Sequence, residues 1–208
     1  MNAQILCLAL TMASETFAPL PEANLALACE QAGNLIEQAE EKGLDPTIMA
    51  GLVYVESRWT PTAVSRSGAC GLTQVIPRYV DESCSDLKEP TTSIRVGSAS
   101  LKKWTTMRVK RKGKLVRVPR TGGIKTALAC YNAGNVCAGS SQGRAYARSV
   151  IRYANRIKEL AAGVMEETNH YADQLLDSDN HGIPMLPFHF TSDGTAYYRP
   201  IYDQSKSL

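Results

Sequence analysis

The sequence predicts a mostly α-helical protein with one small, basic β-hairpin inserted among its helices. Three observations carry this. Apolar residues recur at helical spacing through most of the chain, proline and glycine stand where helices start and stop, and a single stretch, residues 107–119, has apolar and basic residues interleaved around Lys112-Gly113.

Pro21 to Lys42 places Leu25, Cys29, Ala32, Ile36 and Ala39 on one stripe, with Gly43 as its stop, and predicts one amphipathic helix. Asp45-Pro46 supplies a cap followed by proline at the first helical position, a strong start signal for a helix through Ser57. Thr60-Pro61 keeps that helix from running on. Residues 61–80 are rich in turn formers and predict a loop with a short helix near Gln74. Ile94, Gly97, Leu101 and Trp104 mark another helical face, Thr126 to Asn132 a buried helix, and Gly143 to Leu160 a longer one with Tyr146, Val150, Tyr153, Ile157 and Leu160 inward. After Gly163 the helical signal fades, and His181 to Leu208 reads as an extended tail.

The chain has 208 residues, enough for one well-buried core with a terminal extension. No apolar run approaches the roughly 20 residues that a membrane-spanning helix needs. The net charge of +3 conceals an asymmetry: no Asp or Glu occurs between Pro90 and Lys158, a stretch holding 16 of the 23 basic residues. Such a field suits an anionic polymer, with cell-wall glycan, teichoic acid, nucleic acid and lipid head groups all compatible, and the hairpin as its focus.

Six cysteines, Cys7, Cys29, Cys70, Cys84, Cys130 and Cys137, lack the spacing of zinc or redox sites. Cys70/Cys84 and Cys130/Cys137 are candidates for local disulfides in an oxidising compartment, against the alternative of small buried apolar side chains; spacing does not choose among the pairings. Residues 1–18 fit either a signal peptide cut after Ala13 or Ala18 or an N-terminal helix packed on the core. Trp59 and Trp104 are read as core residues in preference to sugar-stacking ones. Asp177 to Gly182 resembles the opening of an EF-hand loop, but Phe188 stands where a bidentate glutamate is needed, and His170, His181 and His189 lack metal-ligand spacing. No metal or cofactor is expected.

Glu56 shares a helical face with Met49, Leu52 and Val53. A carboxyl on an apolar face is disfavoured as an anion, so its pKa rises toward that of a usable general acid. The run from Glu56-Ser57 through Thr60-Pro61-Thr62-Ala63-Val64-Ser65 to Gly68-Ala69-Cys70-Gly71-Leu72-Thr73-Gln74-Val75-Ile76-Pro77 resembles the signature of the soluble lytic transglycosylases, lysozyme-like enzymes that cleave peptidoglycan. Tyr131-Asn132-Ala133-Gly134 and Tyr146-Ala147-Arg148-Ser149-Val150 resemble two further elements of that family, in the family's order.

The resemblance implies a goose-lysozyme-like α domain over residues 19–163, with residues 107–119 as an insertion and 164–208 as an extension of unassigned role. It implies that Glu56 protonates the oxygen between N-acetylmuramic acid and N-acetylglucosamine, then removes a proton from the muramic C6 hydroxyl, which attacks its own anomeric carbon to give a 1,6-anhydro sugar. Most glycosidases need two carboxyl groups; this chemistry manages with one. By the same resemblance Ser65 binds the acetamido group, Gln74 faces the sugar, Tyr131 lies close to the catalytic carboxyl and orients it, Asn132 accompanies it, and Tyr146 is a later cleft residue. Thr73 stands where methionine is common and alters a cleft wall; Cys130 replaces the usual alanine. Rival readings are a hydrolytic muramidase, a peptidoglycan-binding module without turnover, and a nucleic-acid-associated virion or secretion component. The implied setting is the periplasm, the cell wall or a phage virion, as a monomer or as part of a phage or secretion assembly.

Overall fold

The structure, a computed structural model, describes the backbone of residues 1–106, 108–111, 114–117, 123–137, 139–176, 188–190 and 196–198, and side chains within 1–106, 123–137 and 139–168. By its internal contacts the chain divides into two units, Met1–Val164 and Met165–Leu208. The protein is mostly α-helical, as its periodicity predicts.

In the first unit, α1 (Ala3–Thr16) buries Leu6, Ala9, Leu10 and Ala13, and Cys7 is bonded to Cys29 of α2 (Glu22–Glu30). The single helix expected from Pro21 to Lys42 is two, because the chain turns at Gln31 before α3 (Ala32–Glu41). The break costs little: the Gln31 N–H still donates to the Leu27 carbonyl at 2.9 Å, and the Gln31 carbonyl accepts from the Leu35 N–H at 2.8 Å. The bend lets α2 cover α1 while α3 packs on both α4 and α6.

The central helix is α4 (Pro46–Ser57). The Asp45 carboxylate accepts from the Thr47 N–H at 2.9 Å and from its hydroxyl at 2.7 Å, while Pro46 occupies the first turn, where its missing N–H is harmless. Every residue from Thr47 to Val53 is buried. Gly51 makes this possible: a Cβ there would lie 2.6 Å from the Val150 carbonyl oxygen of α8 (Ser141–Leu176), so only glycine allows the two helices to cross so closely.

Beyond α4 a loop leads through a 3-10 turn at Pro77–Tyr79, slightly later than the short helix expected near Gln74, to α5 (Cys84–Leu87) and α6 (Pro90–Thr106). Strands β1 (Arg108–Arg111) and β2 (Lys114–Arg117) pair antiparallel, Arg108 opposite Arg117 and Arg111 opposite Lys114, within the expected hairpin; residues 107, 112–113 and 118–119 of that hairpin lie outside the described residues. Then come α7 (Gly123–Ala133) and α8. The core gathers Leu6, Leu10, Leu35, Met49, Leu52, Trp59, Ile94, Leu101, Leu128 and Tyr153 around α4. Trp59 is fully buried, as its reading as a core residue requires.

The helical signal was expected to fade at Gly163, yet α8 runs to Leu176. Ala161 and Val164 continue its buried face, and Met165-Glu166-Glu167 are good helix formers, which outweighs one glycine's cost of about 1 kcal/mol. In the second unit, β3 (Phe188–Phe190) pairs antiparallel with β4 (Ala196–Tyr198). The EF-hand-like segment from Asp177, His181 and most of the tail lie outside the described residues.

Candidate active site

α4 ends abruptly, and its end sets the position of Glu56. Arg58 (φ 51°) and Trp59 (φ 60°) both take left-handed backbone, which costs roughly 1–2 kcal/mol for each non-glycine residue. The surroundings hold them there. Trp59 is driven into the core, Asn24 donates to the Arg58 carbonyl at 2.8 Å, and the Ser57 hydroxyl donates to the Leu72 carbonyl at 2.9 Å. The last of these fastens the end of α4 to the following loop.

That loop folds back on itself through bridges pairing Val64 with Cys70 and Cys70 with Val75. Gly71 (φ 75°) is obligatory here, since a Cβ would lie 1.7 Å from the Leu87 carbonyl oxygen. The Cys70–Cys84 disulfide ties the loop to α5.

Glu56 lies in a cleft of about 690 Å³ between this loop, the α6 wall and the end of α7. It is half-buried, and burial raises its pKa from 4.5 to about 7, moderated by a hydrogen bond that the Tyr146 hydroxyl donates to Glu56 Oε1 at 2.6 Å. Burial and the Glu56 charge hold both the Tyr131 and Tyr146 hydroxyls well above the ordinary phenol range, so both stay protonated donors. Among the described residues lining the cleft, Glu56 is the only acid. The hairpin cannot add a second, because the sequence from Pro90 to Lys158 contains none.

Both tyrosines feel the Glu56 charge, as expected of Tyr131, but only Tyr146 bonds to the carboxyl. Tyr131 lines the cleft, but its hydroxyl donates to the Thr73 carbonyl at 2.7 Å, and the residue that holds the carboxyl is Tyr146. Helix geometry explains the difference: with α4 and α8 in contact at Gly51 and Val150, Tyr146 stands one turn before Val150 and faces the C-terminal end of α4.

Thr73 is also corrected, since its side chain does not form a cleft wall. It is fully buried, its hydroxyl donates to the Ser93 carbonyl at 2.8 Å, and it sits where a Cβ on Gly97 would come within 2.4 Å. Gln74 (φ 50°) does line the cleft, but its amide nitrogen donates to the Ala63 carbonyl at 3.1 Å and the Gly71 carbonyl at 2.9 Å, leaving its oxygen for a ligand. Ser65 lines the cleft, accepts from the Ala69 N–H at 3.0 Å and shares a hydrogen bond with Ser67. Asn132 is exposed in the cleft wall.

Sequence reasoning missed Tyr79, Ser100, Lys103 and Asn135, and it preferred a core place to a sugar-stacking one for Trp104, which is half-buried, packed against the core and part of the cleft lining. The available signal was the spacing of Ser100, Lys103 and Trp104, three and four residues apart on one side of α6. The disulfide Cys130–Cys137 closes a loop containing the cleft residues Tyr131 to Asn135. Among the described residues no group of three or more His, Cys, Asp or Glu is placed to hold a metal ion, and no helix is long and apolar enough to cross a membrane.

The family model described as the transglycosylase SLT domain matches residues 33–153, more than half of the chain. The chain belongs to this family. The SLT match begins in α3 and ends in α8, so it encloses Glu56, the loop and both tyrosines. Among curated proteins, the chain is similar to a membrane-bound lytic murein transglycosylase F of Alcanivorax borkumensis, 36% identical over 103 residues, covering 49% of this chain and 21% of that protein. It is also similar to the transglycosylase of Enterobacteria phage PRD1, 29% identical over 114 residues, covering 54% of this chain and 38% of that protein. The chain thus spans well under half the length of these relatives. Among solved structures, lytic transglycosylase Slt of Pseudomonas aeruginosa matches with a TM-score of 0.49 and 19% identity, over 78% of this chain and 31% of that one.

Proposed function

We propose that this SLT-family chain is a peptidoglycan lytic transglycosylase that cleaves the bond between N-acetylmuramic acid and N-acetylglucosamine and leaves a 1,6-anhydro end. The observation that carries the reading is Glu56, the one carboxyl among the described residues that line the cleft, its pKa raised to about 7 by burial. An acid poised there is protonated often enough to donate to the leaving oxygen, and its anion is basic enough to take a proton back from the C6 hydroxyl. With no second carboxyl beside it among the described residues, an internal nucleophile from the sugar itself matches the site better than a two-carboxyl hydrolysis.

In this reading Tyr146 holds Glu56 Oε1, which leaves Oε2 to face the glycosidic oxygen. Ser65, Gln74 through its carbonyl oxygen, Tyr131 and Asn132 form the walls that place the sugar. Thr73 supports the site from behind, as the carbonyl that receives the Tyr131 hydroxyl.

The working domain is residues 19–163 together with α1, whose buried face and bond to Cys29 support its membership; 107–119 is an insertion and 164–208 an extension. Three disulfides favour an oxidising setting, outside the cytoplasm or in a virion. The hairpin is the contact for an anionic polymer such as teichoic acid or nucleic acid, read from its sequence.

Mass spectrometry of fragments released from purified sacculi tests the reaction. Anhydro ends, lighter by one water than reducing ends, are expected from the wild type and absent with Glu56→Gln. Reducing ends would identify a hydrolytic muramidase, and binding without release a non-catalytic module.

A further inference from the structure

The α6 wall of the cleft carries a charge that the proposed reaction does not use. Lys103 is exposed, and it is the only cation among the described residues that line the cleft. It has no ion-pair partner among the described residues, and the acid that shares its cleft, Glu56, is held by Tyr146.

A lysine in the last turn of a helix is favoured by the helix dipole, so its presence in α6 has an ordinary explanation. That explanation does not set which way the side chain faces: Lys103 lines the cleft, whereas the ammonium of its neighbour Lys102 approaches Gly43. Nor is Lys103 a partner of the catalytic carboxyl: burial and the Tyr146 hydrogen bond are the causes of the Glu56 shift, and no lysine contributes.

Two aromatic side chains share the cleft lining with Lys103 on this side. Trp104 follows it in the cleft, and Tyr79 lies in the cleft lining at 65% exposure, with the Arg78 guanidinium 4.7 Å above its ring. Flat aromatic faces suit the apolar faces of sugar rings. A cation among them suits an anionic substituent carried on those rings.

We infer that Lys103 is a specificity residue that binds a carboxylate borne by the glycan strand, either the lactyl group of the muramic sugar or a carboxylate of its peptide. This rests on the proposed substrate class and refines it: the cleft discriminates acidic glycan from neutral glycan of the same backbone.

The test is equilibrium binding in the Glu56→Gln background, where nothing is cleaved, with three probes of equal length. These are a chitin oligosaccharide without carboxylates, a peptide-free muramyl strand with lactyl carboxylates, and the same strand bearing its peptides. Adding Lys103→Gln is expected to weaken binding of a carboxylate-bearing strand about threefold to tenfold relative to chitin, as for a partly screened ion pair. Lys103→Arg should retain the discrimination, and roughly 0.5 M salt should erase it. Because the peptide is joined through the lactyl carboxyl, a loss confined to the peptide-free strand assigns the lactyl carboxylate, a loss confined to the peptide-bearing strand assigns a carboxylate of the peptide, and a loss on both shows that Lys103 takes either. An unchanged ratio between acidic strands and chitin, or an equal loss on all three probes, overturns the inference. Failure of the proposed reaction would appear separately, in the fragments released by the wild type.

Discussion

The Tyr146 hydroxyl donates to Glu56 Oε1 at 2.6 Å, joining residues 90 positions apart through the crossing of α4 and α8. The bond favours the anion and opposes the burial that favours the acid. The carboxyl settles near neutrality because both act at once.

Tyr146→Phe removes the donor and leaves burial unopposed, so the Glu56 pKa rises. A hydrogen bond to a charged group contributes roughly 1.5–3 kcal/mol, which corresponds to about one to two pH units. The alkaline limb of the kcat/KM profile for anhydro-product release should move up by about one unit, while kcat falls as the carboxyl loses its orientation. An unmoved limb would remove Tyr146 from its assigned part.

Glu56→Gln should abolish product release and stabilise the protein above neutral pH. The folded-state pKa of about 7 lies above the ordinary 4.5, so burial of this side chain favours folding fully below pH 4.5 and loses that advantage as pH rises through 7. The variant escapes the loss. Its melting temperature should match the wild type near pH 4 and exceed it by roughly 5–10 °C at pH 8, for a shift on the order of 3 kcal/mol. An equal difference at both pH values would contradict the desolvated carboxyl.

Tyr131→Phe strips the Thr73 carbonyl of its donor. A buried acceptor left without a partner costs about 1–3 kcal/mol, so the melting temperature should fall by several degrees. Activity should weaken through displacement of the cleft wall, with the alkaline limb of the pH profile close to its wild-type position. A shift as large as that of Tyr146→Phe would restore Tyr131 as the orienting residue.

Replacing Cys130 and Cys137 together by alanine opens the loop that presents Tyr131 to Asn135. Loop-closure entropy for so short a span amounts to roughly 2–3 kcal/mol. Lower thermal stability and reduced kcat are expected from calorimetry and product release, because the freed loop samples positions in which Asn132 and Tyr131 no longer line the cleft. Full activity with lowered stability would make this bond a structural staple alone.

Local rules determined much of this protein from its sequence: α4 with its Asp45-Pro46 start, the α6 face through Trp104, the burial of Trp59, the family, and Glu56 as the acid of interest. Helical period, caps and a contiguous motif act within a few residues of one another, so they can be read along the chain. Tertiary structure alone decided which tyrosine touches Glu56, that Thr73 turns away from the cleft to Ser93, that Cys7 meets Cys29, and that Lys103 faces the cleft while Lys102 does not. Each of these depends on how closely separate segments approach, and that is set by small residues such as Gly51 and Gly97 at contacts whose two halves lie far apart in sequence. A hydroxyl finds its acceptor over a tenth of a nanometre or two, a precision that periodicity does not supply.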